Sequence, residues 1–80
     1  MFRVKHTIKI ELDVTEEVFP EVYKTAEDCK NRIIEGLAET YGEDWKELHG
    51  DDLTTDTEGN PFYFFDMEEG DFEQYEVVAA

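Results

Sequence analysis

No Lys, Arg or His occurs between Asp51 and Ala80, and the whole chain holds seven Lys and Arg against 22 Asp and Glu. A surface so short of cations argues against direct binding to DNA, RNA or anionic lipid, because their phosphates would repel it. The only cysteine, Cys29, has no partner for an internal disulfide, so the expected setting is reducing and cytoplasmic. No apolar run approaches the ~20 residues that cross a bilayer. The opening Met1-Phe2-Arg3-Val4-Lys5-His6 alternates polar and apolar, unlike a signal peptide. Also missing are a Gly-rich phosphate loop, a nucleophile elbow, a Cys-x-x-Cys pair and a His-Glu-x-x-His pair. Carboxylates are so many that no pair stands out as general acid and base, so neither an enzyme nor a cofactor is expected.

What is present is a folded composition carrying a large charge. Eighty residues allow one domain. The net charge of -15 alone resembles disorder, but 40% of the residues are hydrophobic and eleven are aromatic (six Phe, four Tyr and Trp45). The expected product is a folded domain that repels itself and gains stability when salt screens its surface. The charge is graded along the chain. Residues 1–10 carry Arg3, Lys5 and Lys9 and no acid, whereas residues 51–80 carry ten acids and no base.

Residues 2–14 alternate cleanly. Phe2, Val4, His6, Ile8, Ile10, Leu12 and Val14 share one parity, and Arg3, Lys5, Thr7, Lys9, Glu11 and Asp13 the other. Period two predicts one long strand with a single buried face. Residues 15–24 read as a connection in which Pro20 biases Phe19 away from helix, although Pro20 also suits a first helical position. Thr25 caps a helix that runs to about Tyr41, with Ala26, Cys29, Ile33, Leu37 and Tyr41 on its inner stripe and Gly42 after it. Gly36 weakens that helix by ~1 kcal/mol relative to Ala and marks a close approach to the sheet. Residues 43–49 offer a further turn or two with Trp45 and Leu48 inward, stopped at Gly50. Residues 51–60 read as loop, with 53–55 as an optional edge strand. Residues 61–67 and 72–78 form strands joined by a turn at Gly70. The expected fold is α+β: a single small domain, β-α-β-β in order, a three-stranded sheet with an optional fourth edge strand, and one main helix on one face.

Several residues invite chemistry. His6 shares parity with Val4 and Ile8 and reads as a hydrogen-bonded histidine at the end of the core; a functional role requires an acidic or nucleophilic partner beside it. Glu47, His49 and Asp51 have a spacing that can collect a metal, but such neighbours are common in a chain this acidic. Asp51, Asp52, Asp56 and Glu58 with Gly59 resemble a calcium loop. The EF-hand template fails there, since Gly59 at position six puts Phe65 where a bidentate Glu belongs. Cys29 lies on the inner helix stripe between Asp28 and Lys30 and reads as packing. Residues 61–67 carry aromatics on both parities, Phe62 and Phe64 on one side and Tyr63 and Phe65 on the other. The side facing away from the helix is a contact or dimer surface, with Tyr63 and Phe65 as its candidates.

The acid-rich stretches are Gly50-Asp51-Asp52, Asp66-Met67-Glu68-Glu69-Gly70-Asp71 and Glu73-Gln74-Tyr75-Glu76. In size, acidity and mixed α/β pattern the chain resembles the small phage-encoded inhibitors: anti-CRISPR proteins, anti-restriction DNA mimics and uracil-glycosylase inhibitors. That resemblance lies in overall character and gives no single residue a role. It implies a non-catalytic inhibitor that occupies the basic groove of a nucleic-acid-binding host protein. Its contact carboxylates would be Asp51, Asp52, Asp56, Glu58, Asp66, Glu68, Glu69, Asp71, Glu73 and Glu76. The alternative is an accessory module that docks, or forms a homodimer, through an aromatic sheet face.

Overall fold

The computed structural model describes all 80 residues. Strand β1 (Phe2–Ile10) turns back into β2 (Asp13–Val18). Helix α1 (Ala26–Tyr41), the short helix α2 (Trp45–His49) and a 3-10 turn at Gly50–Asp52 follow. Strands β3 (Leu53–Thr55), β4 (Pro61–Glu68) and β5 (Asp71–Ala79) complete the order. All five strands form one antiparallel sheet, arranged β2-β1-β5-β4-β3. The expected three-stranded sheet and β-α-β-β order are therefore corrected. The optional strand at 53–55 is present, and a further strand, β2, lies at the opposite edge.

The extra strand comes from the alternating run over residues 2–14, which is a hairpin and not one strand. Ile10 pairs with Asp13 across Glu11-Leu12, and Glu11 takes up a left-handed φ of 57°. Alternation continues through such a turn, but the faces exchange. Val14 pairs with Lys9 on the side away from α1, while Thr15 pairs with Ile8 on the helix side. Neither turn residue is Gly, Asn or Asp, so the usual hairpin signal is absent. Leu12, assigned by parity to the core, is 98% exposed at the tip. The connection begins only after Val18. It is held to the sheet by Phe19 N–H on the Val4 carbonyl (2.9 Å) and by paired bonds between Phe2 and Tyr23 (both 2.8 Å).

Directly paired residues share a face of the sheet. Val4, His6 and Ile8 of β1 lie beside Val77, Tyr75 and Glu73 of β5, and the last two lie beside Tyr63 and Phe65 of β4. This face receives α1. Val4, Tyr63 and Tyr75 pack with Cys29, Ile33 and Leu37 from the helix, and Phe19 and Trp45 complete the core. The Arg32 guanidinium covers the Phe19 ring at 4.4 Å.

Helix α1 has the expected bounds for the expected reasons. Thr25 Oγ accepts the Asp28 N–H at 3.1 Å, and Gly42, at φ 79°, donates to the Ala38 carbonyl. Trp45 points inward as expected, but Leu48 is 65% exposed and His49 takes its place. On a helix of this length the residue that shares a face with Trp45 is four positions on, which is His49. No helix is long and apolar enough to cross a membrane.

Candidate functional site

A polar cluster crosses the core beneath the C-terminal half of α1. Glu73 is 3% exposed. His6 Nε2 lies 2.9 Å from its Oε2, and the Tyr41 hydroxyl donates to its Oε1 at 2.6 Å. An ionised carboxylate only accepts, so His6 Nε2 is the donor in this contact. Burial alone would raise the Glu73 pKa. The hydrogen bonds from His6 and Tyr41, helped by the His6 charge, outweigh burial and hold the carboxyl below its usual range.

The cluster continues through aromatic rings. His6 stacks on Tyr75 with centroids 4.3 Å apart, and Tyr41 stacks on His49 at 3.9 Å. His49 Nδ1 lies 3.2 Å from the Tyr63 hydroxyl and 3.6 Å from an Asp52 carboxylate oxygen. Burial and the Glu73 carboxylate push the Tyr41 hydroxyl up to about 12. Burial and the same charge push Tyr75 up to about 12, and burial pushes Tyr63 up further. Burial raises the Cys29 thiol as well, with Asp28 adding to the shift.

These groups tie α1, α2 and three strands together, and each Glu73 oxygen already has a donor. The arrangement is an internal brace with no open cleft beside the carboxylate. His6 is hydrogen-bonded at the edge of the core, and Glu73 is the acidic partner beside it. His49 packs among Tyr41, Tyr63 and Phe65, and the chain holds no cluster of three or more His, Cys, Asp or Glu placed to share an ion. The one sizeable cleft, about 780 Å³, lies elsewhere, between α1, α2 and the β3–β4 loop. Ile34, Trp45, Leu53 and Pro61 line it, with Lys30 and Lys46 among its polar residues.

The sequence-chosen contact residues scatter. Glu73 is buried and faces α1, so it leaves the surface set. Tyr63 is fully buried and Phe65 packs against the core, so the aromatic pair chosen as the outward side is the inward one. The parity was legible, but the side that takes the helix was not. Asp56 accepts the Glu58 and Asn60 N–H groups, both at 2.9 Å, and shapes the β3–β4 turn. Asp66 accepts the Glu68 N–H at 2.8 Å. Asp71 accepts the Glu11 N–H at 2.8 Å and lies 3.7 Å from Lys9 Nζ. Glu76 lies 3.9 Å from Lys5 and accepts from Gln74. Asp52 is near His49. Asp51, Glu58, Glu68 and Glu69 stand exposed, and the last two have left-handed φ values of 71° and 56°.

The sequence reading missed the outer face of α1. Glu27, Asp28, Glu35 and Glu39 are exposed there, and Glu43, Asp44 and Glu47 extend the row past the helix end. Glu27, Glu35 and Glu39 fall on a four-residue spacing, ~6 Å of axial rise per step. Three Lys–carboxylate pairs, to Glu16, Glu76 and Asp71, and two His–carboxylate contacts, to Glu73 and Asp52, lie within 4 Å in the whole molecule, and none reaches this row. The last turn of α1 has no basic residue, although the helix dipole favours one there. The four-residue spacing is legible in the sequence, but only the packing of α1 shows that this face points outward.

The other sheet face is uncovered. It carries Arg3, Lys5 and Lys9 of β1 (with Thr7 buried between its neighbours at 6% exposed), Phe72, Gln74 and Glu76 of β5, and Phe62, Phe64 and Asp66 of β4. Phe64 stacks on Phe72 at 5.4 Å and lies over Phe62 at 6.5 Å, and 40% of Phe64 is exposed.

No family model, curated protein or solved structure matches this chain.

Proposed function

We propose that this protein is a non-catalytic acidic inhibitor that occupies the basic groove of a nucleic-acid-binding protein in the cytoplasm. The observation that carries the reading is the carboxylate row Glu35, Glu39, Glu43 and Asp44, which has no cation within ion-pair distance at the negative end of the α1 dipole. Glu39 in the last turn of α1 and Glu43 just beyond it oppose the dipole by ~0.3–1 kcal/mol each, whereas Asp44 is also the N-cap residue of α2. A basic partner supplies the missing cations and turns that cost into attraction. It also gives up the counterions its groove held, which makes binding depend steeply on salt. Asp51, Glu58, Glu68 and Glu69 are further exposed carboxylates, with Glu58 in the β3–β4 turn and Glu68 and Glu69 at the opposite end of β4.

Reversing Glu35, Glu39 and Glu43 to Lys tests this reading. The tagged variant, exposed to nuclease-treated bacterial lysate, should lose the basic partner that the natural protein retains at low salt, while its circular dichroism stays native. Unchanged retention would remove this row from the contact surface.

A further inference from the structure

Beyond that reading, and independent of it, we propose that the uncovered sheet face is the interface of a two-fold dimer of this chain, packed sheet to sheet with the axis along β5. Strand β5 is the middle strand of five, with basic β1 on one side and aromatic β4 on the other. A two-fold axis along β5 lays β1 of one copy over β4 of the other. The register then fixes the contacts. Lys9 and Asp66 both pair with Phe72, and Thr7 and Phe64 both pair with Gln74. Residues paired across strands lie at one height, so Lys9 meets Asp66 of the second copy and Thr7 meets Phe64. Phe72 and Gln74 meet their own counterparts on the axis.

The charge of this face selects a second copy as the occupant. Arg3, Lys5 and Lys9 stand among Glu16, Asp66, Asp71 and Glu76, three cations with four carboxylates, in a chain whose net charge is -15, so this face is close to neutral by comparison. Lys5 already lies 3.7 Å from Glu16 and 3.9 Å from Glu76. Here two strongly acidic copies can approach without like charges dominating. The apolar contribution comes from Phe62, Phe64, Phe72 and Val78, with Val14 and Val18 at the margin, 55% and 47% exposed. Strands of 9, 6, 3, 8 and 9 residues, rising ~3.3 Å per residue and set ~4.8 Å apart, present roughly 550 Å² per copy. The resulting ~1,100 Å² across a dimer clears the ~1,000 Å² a specific interface needs and places it among the weaker ones.

Sedimentation equilibrium at low and at ~0.5 M salt tests the proposal. The natural protein should associate to a dimer in the micromolar range, more tightly at high salt because the remaining acids of the two copies repel. Phe64→Lys should weaken association at least tenfold with an unchanged circular dichroism spectrum. A second variant, Gln74→Cys, places a thiol on the axis of each copy, the two backbones ~10 Å apart across packed sheets and the thiols closer than that. A short bismaleimide should join the two in high yield, while Cys29 is buried in the core. A monomer persisting to ~0.5 mM at high salt would overturn the proposal. So would a dimer that neither weakens on Phe64→Lys nor cross-links at position 74, since its copies would then meet elsewhere, as along the open β2 edge.

Discussion

Gly36 and Tyr75 touch so closely that a Cβ on residue 36 would lie 2.7 Å from the tyrosine hydroxyl oxygen and 3.2 Å from the ring carbon bearing it. Tyr75 is 4% exposed and stacked on His6, with Tyr63 and Phe19 at its edges, so the ring has little room to yield. Helix propensity alone predicts that Gly36→Ala stabilises by ~1 kcal/mol. Overpacking costs ~1–3 kcal/mol and wins here. Urea unfolding should therefore show Gly36→Ala less stable than the natural protein, by about 1 kcal/mol net.

Glu73→Gln tests the buried brace. The substitution weakens two charge-assisted bonds and should cost about 1–3 kcal/mol at neutral pH. The Glu73 pKa is lower in the fold than its ordinary 4.5. Its stabilisation is therefore complete above that value and disappears as the pH falls through the lower folded one. The other acids relieve self-repulsion on protonation in both proteins alike. Denaturant titrations across the acid range should show the stability gap between natural protein and variant constant near neutrality and shrinking in acid.

Alkaline titration should show the opposite sign. All four tyrosines have pKa values above the ordinary 10, and Tyr41 and Tyr75 reach about 12. The fold prefers the neutral phenols, so this stabilisation is intact below pH 10 and is lost as the pH rises toward 12. Phenolate absorbance of the native protein should lag that of the urea-unfolded chain throughout this window, and the lag should end with unfolding.

Glu39→Lys should stabilise the protein while weakening the proposed binding. Lysine in the last turn of α1 suits the dipole and lowers the net negative charge, for a gain of ~0.3–1 kcal/mol. Thermal melts should place the variant a few degrees above the natural protein at low salt, with the difference narrowing as salt screens the helix end. A charge that costs stability where it stands is most simply explained by use elsewhere.

The local signals in the sequence were easier to read than the long-range ones. Thr25, the 26–41 stripe and Gly42 gave α1 its bounds, and Gly36 announced its contact with the sheet because a glycine in that stripe needs a reason. The Glu11-Leu12 turn was hidden because hairpin strands keep period two through a two-residue turn, and only a left-handed Glu11 marks the break. Tyr63 and Phe65 were placed on the wrong side for a related reason. Alternation separates two faces, and only the packing of α1 says which one is covered. His6 as a hydrogen-bonded core residue was legible. Its partner Glu73, and the Tyr41 hydroxyl that donates to the same carboxylate, were not, since pairing across 67 and 32 residues depends on sheet order.

The most direct test of the proposed inhibitor is competition at the partner's groove. The tagged protein is loaded with its partner from nuclease-treated lysate at low salt, and duplex DNA, structured RNA or an uncharged polymer is then added. Release of a nucleic-acid-binding protein by nucleic acid or by high salt, and not by the uncharged polymer, is the predicted result. A partner that stays bound against both nucleic acid and salt would contradict groove occupation and leave the acidic surface without the role proposed for it.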